Sequence, residues 1–307
     1  MNCLITGGLG FLGTHITKEL LQRGHTVTVY DIEAANFNQS KNCKIVKGDV
    51  RDYDHLVSHL DKNDVVFHMS GLLGTSELFE NPREAINTNI HGALNVILGC
   101  NKVGIKRILI PTKPNEWHNV YSATSLAIQK LGLSYSEYID MDIRVLKFWN
   151  VYGPYQKTHP IRKAIPLFII QALENRPIEI FGDGSQEIEL IFSKDFSKIA
   201  VDFTLYSGKI ENEIYEIHSS IRLTILEIAH IIIKISGSKS EIKHIPMRIG
   251  EKVGTSFHRN QDIKTVIDLK PETEITIGLE RTIDFYKSIS KNKRQKILKH
   301  YGDKAEK

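Results

Sequence analysis

Short apolar runs alternate with stretches of helical periodicity over the first half of the chain. The apolar runs predict strands at residues 3–5, 26–30, 44–50, 64–68, 107–110 and 143–146. The stretches between them carry apolar residues three or four positions apart, and they predict a first helix that ends at Gly24 and further helices at 53–60, 85–103 and 121–131. Strands and helices that alternate through short connections form a parallel sheet with helices on both faces.

The pattern changes after Trp149. The connections lengthen, and Pro154, Pro160, Pro166 and Pro177 surround a helix predicted at 166–175. We therefore expect residues 150–188 and 219–290 to form a smaller lobe over the C-terminal edge of the sheet, where ligands of open α/β sheets bind. The apolar runs 190–192 and 214–217 are expected to return to the main sheet, which assigns 189–218 to the same domain as 1–149.

A glycine-rich turn lies between the first predicted strand and the first helix. Gly7, Gly10 and Gly13 are spaced three apart, and the next strand ends at Asp31. Glycine lets a phosphate approach the amides at the helix N-terminus, and an acid after the second strand hydrogen-bonds an adenosine ribose. The alternative is a turn that only packs a helix on a strand. We predict a Rossmann-type doubly wound sheet that binds NAD through Gly7, Gly10, Phe11, Leu12, Gly13 and Asp31.

Composition and the distribution of charge argue against nucleic acid as a partner. The chain is 41% hydrophobic and 25% charged, as is ordinary for a globular protein, and its net charge is +4. Seven Lys or Arg residues and only two acids lie in 291–307, so the rest of the chain is nearly neutral. We interpret 291–307 as a solvated basic tail and expect no nucleic-acid binding.

The cysteines and the apolar runs bear on metal binding and location. Cys3, Cys43 and Cys100 are far apart and have no zinc-site spacing, so we expect reduced thiols, no disulfide and no metal. No apolar run approaches the roughly 20 residues of a membrane span, and the first strand begins almost at Met1. We expect a cytoplasmic protein with no membrane partner.

Eight motifs occur in an order that resembles a known family. They are the glycine turn from Thr6 to Gly13, the segments 48–52, 64–71 and 89–92, Tyr121, and the segments 150–154, 182–185 and 248–251. The resemblance covers nearly the whole chain and is to extended short-chain dehydrogenase/reductases, in particular NAD-dependent nucleotide-sugar epimerases and dehydratases. It implies a homodimer that uses the helices 85–103 and 121–131.

The resemblance also implies roles for individual residues. Asp49 and Val50 would hold the adenine, Trp149 would lie against the nicotinamide, and Met69, Ser70, Gly71 and Asn89 would line the cofactor cleft. Asn150 and Arg248 would bind the nucleotide sugar, with Arg248 on its diphosphate. The implied reaction is 4-epimerisation through a 4-keto intermediate, with Tyr121 as the base. One-way reduction of a 4-keto sugar is a related alternative.

The chain departs from the family at the residue four positions after Tyr121. Relatives carry a Lys there, and this chain carries Ser125. In the family that Lys lowers the pKa of the Tyr and holds the nicotinamide ribose. A lowering of three pKa units corresponds to roughly 4 kcal/mol. Its loss supports a third reading, a NAD-binding pseudoenzyme, unless another cation replaces it.

Two residues before the Tyr121 helix offer alternative chemistry. Thr112 could be the hydroxyl that hydrogen-bonds the reacting oxygen, but an alignment shifted by one residue puts Lys113 there instead. Lys113 pointing into the site would supply the cation that Ser125 lacks, whereas Lys113 in solvent would do nothing. The sequence leaves both alternatives open.

Two further departures bear on the substrate. Ile188 stands where many relatives have an Arg for the diphosphate, so Arg248 lacks that companion. The Thr-Asp-Glu run that dehydratases use to remove a hydroxyl is absent, which disfavours 4,6-dehydration.

Asp31 generates a testable expectation about the cofactor. Its carboxylate would accept hydrogen bonds from a ribose diol and repel a 2′-phosphate, and no Arg follows it closely. We expect NAD to bind at least about tenfold more tightly than NADP. Calorimetric dissociation constants for the two cofactors measure this directly, and tighter NADP binding would contradict it.

Overall fold

The structure is a computed structural model that describes residues 1–34, 41–113, 117–159, 161–248, 261–263 and 270–302. The chain divides into two compact units. The first unit contains Met1–Trp149, Phe196–His218 and Ser256–Lys270, and the second contains Asn150–Asp195, Ser219–Thr255 and Pro271–Lys307.

The strands, in chain order, are β1 (Asn2–Thr6), β2 (Thr26–Asp31), β3 (Cys43–Lys47), β4 (Val65–His68), β5 (Arg107–Thr112), β6 (Asp142–Phe148), β7 (Asn150–Tyr152), β8 (Ile178–Phe181), β9 (Glu187–Phe192), β10 (Ile214–Ile217), β11 (Arg222–Thr224), β12 (Ile242–Ile245) and β13 (Gln261–Asp262).

The α-helices are α1 (Phe11–Gln22), α2 (Tyr53–Leu60), α3 (Pro82–Ile86), α4 (Gly92–Val103), α5 (Val120–Tyr138), α6 (Ala164–Leu173), α7 (Ser193–Leu205), α8 (Ile225–Ser236), α9 (Ile275–Ser288) and α10 (Lys291–Gly302). A 3₁₀ turn covers Glu77–Phe79, and a π-helical turn, Asn87–His91, joins α3 to α4. The predicted helix at 85–103 is therefore two α-helices with a π-turn between them.

The first unit contains one parallel sheet. Its strand order is β13-β10-β6-β5-β4-β1-β2-β3, so the chain reverses direction across the sheet at β1 and β4. This reversal creates a crevice at the C-terminal ends of the two strands, which is where dinucleotides bind in doubly wound folds. The predicted fold class is confirmed. One face of the sheet packs against α2, α4 and α5, with Val66, Ile108 and Ile143 among its buried residues.

The second unit contains two small sheets. In one, β9 pairs with β7 in parallel and with β11 antiparallel, and in the other β8 pairs with β12. Apolar residues of α6, α8 and α9 bury each other beside these strands, among them Phe168, Ile232 and Ile283.

The expected domain boundaries need three corrections. Residues 190–192 do not return to the main sheet, because they belong to β9 and pair inside the second unit. The main sheet gains a strand instead at Gln261–Asp262, which pairs with β10. Residues 291–302 of the expected basic tail form α10, because Ile297 and Leu298 pack against the core of the second unit.

The glycine turn contains Gly7, Gly8, Gly10 and Gly13, and a Cβ at Gly7 or at Gly13 would meet backbone atoms closer than 3.0 Å. Gly7 has φ of +66°, and a Cβ there would lie 2.7 Å from the backbone nitrogen of Ser70. A Cβ at Gly13 would lie 2.2 Å from the carbonyl oxygen of Gly7. At Gly10 the nearest atom would be 3.1 Å away, and the backbone there is extended. Gly10 is thus less crowded than Gly7 and Gly13, although a Cβ there would still press on the Gly7 carbonyl oxygen.

This difference predicts unequal effects for two alanine variants. Gly13→Ala should destabilise the protein by about 1–3 kcal/mol, because a backbone oxygen blocks the methyl group. Gly10→Ala should lower the melting temperature less than Gly13→Ala does, since its methyl group would lie 3.1 Å from the Gly7 carbonyl oxygen and not 2.2 Å. It should weaken NAD binding, because this methyl group stands where a phosphate approaches the start of α1. Thermal unfolding and calorimetry separate the effects. Unchanged NAD affinity in Gly10→Ala would mean that the turn only packs helix on strand.

Candidate active site

The glycine turn and Asp31 form one hydrogen-bonded unit at the C-terminal ends of β1 and β2. Gly10 caps α1, and no side chain caps the first amides of that helix. One carboxylate oxygen of Asp31 accepts a hydrogen bond from the Leu9 amide at 2.9 Å, and the other accepts one from the Glu33 amide at 3.0 Å. Each oxygen keeps a lone pair, so Asp31 both holds the turn and can accept from a ribose diol. Phe11 and Leu12 form the first turn of α1.

A cleft of about 410 Å³ lies beside β2 and β3, at the edge where the adenine is expected. Ile32, Lys47, Gly48, Asp49, Asp52 and His55 line it. The Arg51 guanidinium lies 2.6 Å from Asp49 and lowers the pKa of that carboxyl below its ordinary value. The hydroxyl of Tyr30 lies 2.9 Å from His55 Nδ1. Val50 is buried beneath the cleft, in the core under α4.

The loop after β4 is attached to β1 and to the π-helical turn. The amide of Met69 donates to the Thr6 carbonyl at 2.9 Å, and Asn89 exchanges two hydrogen bonds with the backbone of Leu72. Asn89 also donates to the Thr124 hydroxyl at 3.1 Å. Asn89 therefore braces the segment that contains Gly71.

A buried oxygen in this loop lacks a hydrogen-bond partner among the described residues. The hydroxyl of Ser70 is inaccessible to solvent and makes no hydrogen bond within the described part of the chain. Together with the uncapped amides of α1, this oxygen fits a bound dinucleotide.

His68 is unsuited to acid–base work. Its ring is buried, Nδ1 lies 2.8 Å from the Thr6 hydroxyl, and burial lowers its pKa to about 4. His55 and His59 stack with ring centroids 4.6 Å apart. Among the described residues, no group of His, Cys, Asp or Glu could hold a metal ion, and no helix is long and apolar enough to span a membrane.

Tyr121 lies in the first turn of α5. The Asn119 side chain caps this helix by accepting a hydrogen bond from the Ser122 amide at 2.8 Å. Burial raises the pKa of Tyr121 to about 12. At neutral pH only about one phenol in 100,000 would be ionised at such a pKa, so the side chain needs a nearby positive charge to act as a base.

A positive charge is present at the Tyr121 ring. The ammonium nitrogen of Lys113 lies 3.9 Å from the ring centroid. Lys113 directly follows β5 and is partly buried. Of the two alternatives for this Lys, the structure has the one in which it points towards Tyr121.

The side chains of Thr112 and Ser125 contact each other. Their hydroxyl oxygens are 2.9 Å apart and buried, and Thr112 also donates to Gln129 at 3.4 Å. The Ser125 hydroxyl accepts a hydrogen bond from the Lys113 amide at 3.3 Å. The Thr112 hydroxyl is thus part of the contact between β5 and α5, and Ser125 supports the backbone of Lys113.

Lys147 is a buried charged residue that the sequence analysis did not single out. It lies near the end of β6, is only 3% exposed, and pairs in register with Thr112 on β5 and Glu216 on β10. The available signal was a Lys directly after the predicted strand 143–146, between two apolar residues. Trp149, two residues further on, donates its indole N–H to Glu216 at 2.6 Å.

The expected substrate residues lie in the second unit. The side chain of Asn150 donates to the Glu189 carbonyl at 3.4 Å. The guanidinium of Arg248 lies 5.5 Å from the Phe181 ring centroid, and that of Arg162 lies 4.7 Å from the same ring. Ile188 is an apolar packing residue that pairs with Leu223. Arg162, which the sequence reasoning did not single out, is the cation near Arg248.

Comparisons with known proteins agree with this geometry. UDP-N-acetyl-alpha-D-glucosaminuronate decarboxylase of Bacillus cytotoxicus is 30% identical over 94% of this chain and 98% of its own length. UDP-N-acetylglucosamine 4-epimerase of Methanobrevibacter ruminantium, solved with UDP-N-acetylmuramic acid, superposes with a TM-score of 0.84 at 25% identity and covers 94% of this chain and 98% of its own.

A third relative carries the cofactor. UDP-glucose 4-epimerase of Thermus thermophilus, solved with NAD, has a TM-score of 0.85 at 20% identity over 94% of this chain and its own full length. The profile of the NAD dependent epimerase/dehydratase family matches residues 3–217. The chain belongs to the NAD-dependent epimerase/dehydratase family.

Proposed function

We propose that this protein is an NAD-dependent nucleotide-sugar 4-epimerase in which Tyr121 is the base and Lys113 supplies the charge that activates it. The observation that carries the proposal is the 3.9 Å between the Lys113 ammonium nitrogen and the centre of the Tyr121 ring. When bound, NAD would supply the hydride acceptor and donor for C4 of the sugar, so that a cycle of oxidation and reduction would be redox-neutral.

The protein contributes the proton transfers. The Tyr121 phenolate takes the proton of the 4-hydroxyl as that carbon is oxidised, and the phenol returns it on reduction, so no net proton is consumed. The 3.9 Å is measured to the ring centroid, and a unit charge about 5 Å from the ionising oxygen changes its ionisation by about 1 kcal/mol in water and about 3 kcal/mol near a protein surface. Lys113 can therefore lower the pKa of Tyr121 by about one to two units.

The second unit would bind the nucleotide part of the substrate. Arg248 and Arg162 both approach Phe181, and Arg162 also pairs with Glu179 at 2.8 Å. We assign the diphosphate to Arg248 and a sugar-nucleotide contact to Asn150. A cytoplasmic homodimer that binds neither nucleic acid nor membranes remains part of the proposal.

Decarboxylation is a second candidate, because the relative at 30% identity decarboxylates a UDP-linked uronic acid. Oxidation at C4 makes the C6 carboxylate of such a sugar a β-keto acid, which loses carbon dioxide without a new catalytic group. The same base would serve both reactions. One-way reduction of a 4-keto sugar and a pseudoenzyme without turnover are the remaining alternatives. Release of carbon dioxide, consumption of NADH and absence of any turnover distinguish these three from epimerisation.

A pH profile tests the roles of Tyr121 and Lys113. With a panel of UDP-, dTDP-, GDP- and CDP-sugars, we expect the native rate to climb as pH rises towards the pKa of the phenol. Tyr121→Phe should abolish turnover. Lys113→Met should raise the pKa of the rate profile by about one to two units and lower the rate at pH 7 by about 10- to 100-fold.

The control is Lys130→Met, which removes an exposed Lys from α5, the helix that contains Tyr121. Its profile should match the native one. A Lys113→Met enzyme with an unshifted profile would show that Lys113 is not the activating cation, and no turnover by any protein of the set, with NAD still bound, would support the pseudoenzyme.

Ser125→Lys restores a Lys one helical turn after Tyr121. Because Lys113 already supplies a cation, this substitution should change neutral-pH turnover by less than about threefold in the native background but should rescue Lys113→Met. Steady-state rates at pH 7 for the single and double variants decide the matter. A large gain from Ser125→Lys alone would indicate that the native enzyme lacks an effective cation.

A further inference from the structure

Lys147 lies in a row of buried polar residues at the C-terminal ends of three adjacent strands. Thr112 on β5 and Glu216 on β10 are its register neighbours, and all three side chains are almost fully buried. Register neighbours in a parallel sheet extend from the same face. The Thr112 hydroxyl contacts Ser125 and Gln129, so the row lies on the face covered by α5.

A second buried cation on β6, Arg144, shows how the protein pairs a buried charge that has a structural role. Arg144 is 1% exposed, donates to Asp142 at 2.9 Å and to the carbonyl of Tyr206 at 2.9 Å, and also donates to the carbonyl of Phe203. Its charge is therefore paired and its donors are used by the protein itself, as burial requires.

Lys147 has no comparable partners. Within the residues that the structure describes, its ammonium makes neither an ion pair nor a hydrogen bond, although 97% of the residue is buried and Glu216 is the neighbouring residue. One oxygen of Glu216 accepts the Trp149 indole N–H. The ammonium nitrogen is not among the fully buried side-chain atoms that lack a hydrogen bond, so the buried stem of Lys147 ends in a charge that keeps some access to solvent. A cation held in this way without a protein acceptor is available to a ligand that provides one.

We propose that Lys147 binds a ribose of the bound dinucleotide, donating hydrogen bonds to the hydroxyls of its nicotinamide nucleoside. The inference rests on the proposed function for the cofactor's orientation. Asp31, at the end of β2, is on the adenosine side of the reversal at β1 and β4, whereas β6 is on the other side, where the second nucleoside binds. The Lys147 ammonium would thus make the contact to the ribose that relatives make with the Lys after the Tyr. Ser125 occupies that position here, and its hydroxyl is bonded to Thr112.

Ligand fragments test this assignment without turnover. Calorimetry would compare the binding of NAD, ADP-ribose and AMP to the native protein, to Lys147→Met and to the control Lys106→Met, which removes an exposed Lys paired with Asp140. Lys147→Met should weaken NAD and ADP-ribose by about 10- to 100-fold and leave AMP unchanged, because AMP lacks the second ribose. Lys106→Met should bind all three as the native protein does.

Thermal unfolding of the ligand-free protein separates binding from a structural role. A ligand-binding Lys147 predicts that Lys147→Met melts at the native temperature or above it, since the ammonium that is removed makes no ion pair or hydrogen bond within the described residues and its stem is replaced by an apolar one. A Lys147 that neutralises Glu216 predicts a lower melting temperature, since a buried carboxylate would lose its counter-charge. A lower melting temperature with unchanged NAD affinity overturns the proposal.

Two further results would also overturn it. Equal weakening of AMP would place the effect on the adenosine half, and an unchanged NAD affinity with a raised KM for the sugar nucleotide would assign Lys147 to the sugar. If Lys147→Met does not fold, Lys147→Gln, which keeps a donor without a charge, provides the same comparison. These measurements stand even if Tyr121→Phe and Lys113→Met show that the reaction is not epimerisation.

Discussion

A buried phenol cannot act as a base near neutral pH without a positive charge beside it, and the site is organised around this constraint. Burial raises the pKa of Tyr121 to about 12. In the family that this chain belongs to, the charge is expected one helical turn after the Tyr, where this chain has Ser125. In the proposed mechanism the charge comes from outside the helix. Asn119 fixes the start of α5, and Lys113 reaches the Tyr121 ring from the end of β5. The Ser125 hydroxyl, bonded to the Lys113 amide, contributes to that placement.

The parallel sheet places further charges close to this helix. Strand ends of a parallel sheet meet at one edge, so residues distant in sequence become neighbours there. Lys147 and Glu216 are such neighbours, and both are buried under α5. Arg144 shows that a buried cation on β6 can be fully paired by the fold when its role is structural. The difference between these two cations on one strand supports the proposed role of Lys147 at the end of β6.

Local features of the site could be read from the sequence, and non-local ones could not. The glycine turn and Asp31 follow consecutive elements, and the Asp31 carboxylate does bond the Leu9 amide within that turn. Residues 190–192 form a strand as predicted, but an apolar run does not specify its partner, and they pair with β7 instead of the main sheet. Lys147 was missed because its significance depends on burial and on strands separated by many residues. The choice between Thr112 and Lys113 depended on where each side chain points, which spacing alone does not determine.

In our proposal Lys113 activates the base and Lys147 binds the ribose, two roles that a single Lys has in the family. This division has a physical consequence. A single ammonium that touches both phenol and ribose makes base activation depend on the bound cofactor. With two cations the effects separate. Lys113 is partly exposed, so water screens its charge and its effect on Tyr121 is towards the lower end of the range, which leaves the phenol with an alkaline pKa. Lys147 is buried, so a hydrogen bond from it to a ribose is little screened and strengthens cofactor binding. Tight retention of NAD with modest activation of the base suits a redox-neutral cycle, in which the cofactor is never exchanged and each turnover must restore it.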